Sequence, residues 1–234
     1  MKTIGLIGGM SWESSALYYR LLNEQVRDRL GGLHSARLVL YSLDFAEVEG
    51  LQSAGRWDEA GQLLAGAGRA LAAAGADLLV LCTNTMHKIA PALEAACPLP
   101  LLHIADATAS AIHRAGLTRV GLLGTRFTME ETFYRDRLVH DHGLEVLIPP
   151  AGARERVHRI IYDELCCGQI RDESRQTYQD VMTGLVARGA EGIILGCTEI
   201  SLLVDGRNTS VPLFDTTALH VASTVDLALA EAGP

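Results

Sequence analysis

The 234-residue sequence predicts an α/β fold built on mainly parallel sheets, and two observations carry that prediction. Short apolar runs alternate with helix-length amphipathic segments along the chain, which is the rhythm of βα units. The pattern also repeats. Ile4-Gly5-Leu6-Ile7-Gly8 is echoed by Val120-Gly121-Leu122-Leu123-Gly124, and residues 79–85 are echoed by residues 193–199, at nearly the same offset. A third echo, at a different offset, joins Leu99-Pro100-Leu101-Leu102 with Val211-Pro212-Leu213-Phe214; an acid follows each. Together the echoes predict a duplicated architecture of two pseudo-symmetric Rossmann-like lobes with a cleft between them. Residues 1–103 plus 211–234 are expected to form the first lobe and residues 104–210 the second.

The elements follow in order. Strands are expected at 3–7, 37–43, 77–81, 99–104, 119–123, 145–148, 192–195 and 211–214, each a short apolar run bounded by turn residues. Helices are expected at 14–29, 59–74, 130–142, 157–166 and 173–188, with Gly31-Gly32, Gly75, Gly143 and Gly189 as stop signals close behind several of them. Thr83-Asn84-Thr85 precedes a further helical stretch at 86–96, and Gly124-Thr125 with Thr128 stands before Glu130.

Composition narrows the function. A formal charge of -8 and a pI near 5.5 argue against nucleic acid as partner, because phosphate-backbone binding is driven by a basic face. The longest apolar stretch, 63–82, is interrupted by Arg69 and Asp77, so no membrane span is expected. Lys2 leads directly into a strand-like run rather than a leader peptide, and five irregularly spaced cysteines do not read as a disulfide framework. A cytoplasmic setting is expected. No CxxC or HxxxH pair occurs, so no metal is expected. Lys2 and Lys88 are the two lysines, which leaves little room for a pyridoxal phosphate Schiff base.

Ligands of parallel α/β sheets bind beyond the carboxyl ends of the strands. The echo sets Thr83 against Cys197 there, and Cys82 against Gly196. A thiol, with a reference pKa of about 8.5, is a usable base toward a carbon acid. Glu199 could relay its proton or orient it, although a carboxylate raises a neighbouring thiol's pKa. Thr83 is the weaker base of the pair. The hydroxyl-rich turns at 83–85 and 124–128 could hold a carboxylate and stabilise the charge that develops on it once an α-proton leaves.

These segments resemble the aspartate/glutamate racemase family over nearly the whole chain. The resemblance is carried by Ile4 through Ser14 (IGLIGGMSWES), Cys82-Thr83-Asn84-Thr85-Met86-His87, Gly124-Thr125 with Thr128, and Gly196-Cys197-Thr198-Glu199. It implies racemisation of an amino acid, aspartate, glutamate or a broader set, by two-base proton transfer without a cofactor, in a homodimer. The implied catalytic pair is Thr83 and Cys197, with Cys82 as the alternative to Thr83. Met10, Gln52, Asn84, Thr85, Thr125, Thr128, Thr198 and Glu199 are the implied substrate contacts. In the family the first cysteine stands immediately before Asn-Thr, where this chain has Thr83; such a pair is expected to prefer L-substrates. Aspartate-specific relatives carry an arginine in the loop after strand 2 and a lysine near the position of Cys166. Neither is present here, which leaves Gln52 as a neutral substitute and points to broad specificity. A decarboxylase using Cys197 alone and a non-catalytic two-lobed ligand-binding protein are the alternatives.

Other residues read more plainly. Gly5, Gly8 and Gly9 lack the GxGxxG spacing of a dinucleotide site. Cys97, Cys166 and Cys167 are expected to be packing residues. Met10 is read equally as a contact or as packing, and 154–159 as a solvated helix face. His87, just inside a helix start, is either a partner of the site or, as favoured, satisfied locally.

Overall fold

A computed structural model describes residues 1–230 of the chain. It divides into two compact units, Met1–His103 with the stretch from His220 on, and Ile104–Leu219.

In the first unit β1 (Ile4–Gly8) runs into α1 (Trp12–Leu30), then β2 (Leu38–Ser42), α2 (Phe45–Ser53), α3 (Trp57–Ala73), β3 (Leu78–Leu81), a 3-10 turn (Thr85–Ile89), α4 (Ala90–Ala96) and β4 (Leu101–Leu102). The strands are parallel and ordered β2-β1-β3-β4. Strand alternation sorts the side chains onto two faces. Ile4, Leu6, Leu78 and Val80 pack with Tyr18, Leu22 and Val26 of α1, whereas Ile7, Leu79 and Leu81 pack with Leu64, Ala67 and Leu71 of α3. Each such Leu or Ile stabilises the unit by roughly 1.5–3 kcal/mol through burial. Ser11 caps α1, its Oγ accepting the Ser14 N–H at 3.3 Å.

The second unit opens with α5 (Ile104–Arg114) and β5 (Arg119–Gly124). Next come α6 (Arg126–Glu130), α7 (Thr132–Asp136), β6 (Glu145–Leu147), α8 (Ala151–Asp163) and α9 (Asp172–Ala187). It closes with β7 (Gly192–Gly196), α10 (Ile200–Leu203), β8 (Leu213–Asp215) and the first residues of α11 (Thr216–Leu229). Its parallel sheet has the order β6-β5-β7-β8, the same order as the first sheet. The repeat seen in the sequence is therefore a repeat of topology: the echoed pairs are β1 with β5, β3 with β7, and β4 with β8.

The domain expectation needs one correction. Residues 211–219 are expected in the first lobe, but Leu213, Phe214 and Asp215 pair with Ile193, Ile194 and Leu195, so β8 is the fourth strand of the second sheet. The chain returns to the first unit at His220, where Val221 and Val225 of α11 join the α1 face of the core; residues 231–234 of that expectation lie outside the described residues.

The single helix expected at 130–142 is also broken. Glu131 is extended, between α6 and α7, and residues Arg137–Asp141 form a π turn. Met129, Tyr134 and Leu138 are all fully buried in one cluster. The first two are five positions apart, which an unbroken helix would rotate onto different faces; the break brings both to the core.

Candidate active site

The first half-site lies at the carboxyl ends of β1 and β3. Gly9 has φ +89°, and a Cβ there would lie 2.1 Å from the Leu43 carbonyl oxygen, so a side chain is excluded. The Gly9 N–H donates to Ser15 Oγ at 2.7 Å, and that hydroxyl donates to the Ser11 carbonyl at 2.9 Å. Met10 is buried in the cluster with Ile7 and Met86, and Gln52 of α2, also buried, donates to Met86 Sδ at 2.9 Å.

The end of β3 decides how Cys82 and Thr83 differ. The ladder closes with Cys82 N–H on the Ile7 carbonyl at 2.9 Å, and Thr83 N–H then turns back to the Leu81 carbonyl at 2.8 Å. Cys82 is 0% exposed among Leu6, Tyr18 and Val221, and burial pushes its thiol well above the ordinary range. Thr83 lies beyond the tight turn at 8% exposure, followed by buried Asn84 and Thr85. His87 Nδ1 donates to the Thr83 carbonyl at 2.8 Å.

The second half-site lies at the carboxyl ends of β5 and β7. These strands approach closely: a Cβ on Gly196 would lie 2.8 Å from the Leu123 carbonyl oxygen. Thr125 caps α6, its Oγ1 accepting the Thr128 N–H at 3.3 Å and lying 3.2 Å from Thr128 Oγ1. Thr128, expected as a substrate contact, is fully buried, with its Oγ1 beside Thr125 Oγ1. Beyond β7, Cys197 Sγ donates to Glu199 Oε2 at 3.0 Å, and Thr198 Oγ1 donates to the same oxygen at 2.5 Å. Thr198 and Glu199 are buried, Cys197 partly so.

Burial, the Glu199 carboxylate and the nearby Cys166 push the Cys197 thiol well above its ordinary pKa. The sulfur is the donor in that contact, with Glu199 Oε2 as its acceptor. The fully buried phenol of Tyr178 is raised by burial and by Cys197 and Cys166. Its place near the thiol, like that of Cys166, was not legible from spacing, since both arrive from segments remote from Cys197.

Among the described residues no group of three or more His, Cys, Asp or Glu side chains is gathered to hold a metal, and no helix is long and apolar enough to cross a membrane.

A crystal structure of a candidate Asp/Glu racemase from Yersinia pestis is 57% identical and superposes with a TM-score of 0.92, covering 98% of this chain and 100% of that one. An aspartate racemase homologue from Pyrococcus horikoshii OT3 is 34% identical with a TM-score of 0.84, covering 97% and 99% of the two chains. The broad specificity amino-acid racemase RacX of Bacillus subtilis (strain 168) is 25% identical over 160 residues, 67% of this chain and 66% of its own length. The model of the Asp/Glu/Hydantoin racemase family matches residues 7–224, and the chain belongs to that family.

Proposed function

We propose that the protein racemises an amino acid by cofactor-independent proton transfer, with Cys197 and Thr83 acting on opposite faces of the α-carbon. The observation that carries this reading is the Cys197 Sγ–H to Glu199 Oε2 hydrogen bond at 3.0 Å. A resting thiol can protonate a carbanion directly, and to act as base it passes its own proton to Glu199, which Thr198 holds in place. Thr83 supplies the second proton site as the first side chain beyond the β3 turn. Backbone N–H groups at Asn84, Thr85, Thr125 and Thr198 and the hydroxyls of Thr85 and Thr125 serve the α-carboxylate, where charge develops as the α-proton leaves. Met10 and Gln52 stand behind the first half-site as buried supports. The substrate is an amino acid of the aspartate/glutamate class or a broader set, and the similarity to a racemase named for broad specificity supports the broader set.

The test is a panel of L-amino acids in heavy water, followed for α-deuteration, appearance of the D-form and release of CO2. Deuteration with inversion and no gas is expected. Gas release would make the protein a decarboxylase, and no exchange into any amino acid would defeat the reading.

A further inference from the structure

Three histidines from separate segments meet inside the first unit: His87 in the 3-10 turn, His103 after β4, and His220 in α11. The His87 ring lies 4.4 Å from that of His103 and 6.0 Å from that of His220, centroid to centroid, and all three side chains are at least nine-tenths buried. Their hydrogen bonds fix two tautomers. A carbonyl oxygen only accepts, so His220 Nε2 carries the proton it gives to Leu102 O at 2.9 Å, and its Nδ1 accepts from the Tyr18 hydroxyl at 2.9 Å. By the same reasoning His87 carries its proton on Nδ1 and donates it to Thr83 O at 2.8 Å. Burial and the two neighbouring imidazoles hold His87 neutral, well below the ordinary histidine range.

The backbone around Thr83 explains why a side chain is needed there. The His87 N–H goes to Asn84 O at 3.1 Å, one residue short of the bond that an α-helix would give to Thr83 O. His87 Nδ1 takes that place. With its N–H on Leu81 O and its C=O on His87, the Thr83 peptide units are held on both sides, and the direction of the Cα–Cβ bond is fixed with them.

We propose that His87 is a positioning residue for Thr83: the imidazole, wedged by His103 and His220, clamps the Thr83 carbonyl and so aims the hydroxyl at the α-carbon. This rests on the role proposed for Thr83 above. A proton-transfer group displaced by about 1 Å loses on the order of 10²-fold in rate. The loss should fall on the Thr83 side alone, since Cys197 is held by Glu199.

Asn and Gln separate this role from simple packing, because the Asn amide nitrogen can stand where Nδ1 stands and the Gln amide reaches only toward Nε2. In heavy water, His87→Gln is expected to lose about 10²-fold in inversion, while α-deuteration of the L-form with retention stays near the wild-type rate. His87→Asn should restore inversion. Tyr18→Phe, which removes a hydrogen bond on the far side of His220, should lower the urea midpoint and leave the ratio of inversion to exchange unchanged. Parallel loss of exchange and inversion in His87→Gln, or equal ratios in the Gln and Asn variants, would overturn the proposal while leaving the racemase reading intact; a wild type that exchanges nothing would end both. Nitrogen-15 NMR of the imidazoles tests the clamp without any variant: the Nδ1–H tautomer is expected for His87, and the Nε2–H tautomer would overturn it.

Discussion

Cys197 and Thr198 donate to one and the same oxygen of Glu199, at 3.0 and 2.5 Å. The carboxylate is therefore held still while the thiol is raised, and replacing it by an amide should act on both. In Glu199→Gln the negative charge that raises the thiol is gone, so the pH midpoint for alkylation of Cys197 by iodoacetamide, followed at its own peptide, should move down. Racemisation should fall by about 10²–10⁴-fold, the usual worth of a general acid/base group. An unchanged alkylation midpoint would show that Glu199 does not govern the thiol.

Replacing Cys197 by Ser puts a much weaker acid at the second half-site, and turnover should fall by at least about 10²-fold with the fold intact by circular dichroism. Turnover at the wild-type rate would mean that the thiol takes no part.

Thr83→Cys runs the other way. A thiol of reference pKa about 8.5 replaces an aliphatic hydroxyl, so the direction in which residue 83 takes the proton, D to L, should accelerate by on the order of tenfold. Initial rates for the two enantiomers, measured separately, check this. No gain for the D-form would place the second proton site elsewhere.

Much of the fold could be read from the chain because the strands are short apolar runs, of which β1, β5 and β7 end in Gly and β6 runs into Pro149. The strands that repeat in the sequence, β1/β5 and β3/β7, are the central pair of each sheet. Helices α5 and α11 did not stand out: both are rich in Ala and Thr and follow almost directly on the short strands ahead, and α11 shows little amphipathic contrast. The break at Glu131 was hidden because only the core decides whether Met129 and Tyr134 share a face. At the site, Gly196-Cys197-Thr198-Glu199 is contiguous and so was visible as a unit. The difference between Cys82 and Thr83 was not visible, because it turns on β3 ending at Leu81. The histidine cluster was beyond reach, as its members lie in three distant segments.

Gly9→Ala should damage folding more than any surface change. The added methyl meets the Leu43 backbone at 2.1 to 2.9 Å and needs a φ of +89° that Ala resists, and backbone cannot swing aside as a side chain can. A loss above about 3 kcal/mol in urea unfolding is expected, in the severe class of point substitutions. A loss under about 1 kcal/mol would mean that the β1 turn can open at little cost.

Stability should also fall on mild acidification, and the sign follows from His87. Its folded pKa lies well below the unfolded value of about 6.5, so between those two values the unfolded chain binds the extra proton and stability drops as pH falls. His158, lowered chiefly by burial with Arg126 beside it, acts in the same direction. Asp106, whose carboxyl is held low by Arg137 and His142 against the opposing effect of burial, loses its contribution only below the ordinary carboxylate range and so leaves the window from pH 6.5 to 5 to the histidines. Buried His87 can contribute up to about 1.4 kcal/mol per pH unit there, and half-exposed His158 less. Urea midpoints between pH 7 and 5 should fall for the wild type and fall less steeply for His87→Asn, which keeps the donor to Thr83 but cannot take up a proton. Parallel slopes would mean that His87 is not held neutral by the fold and that its burial does not couple folding to pH.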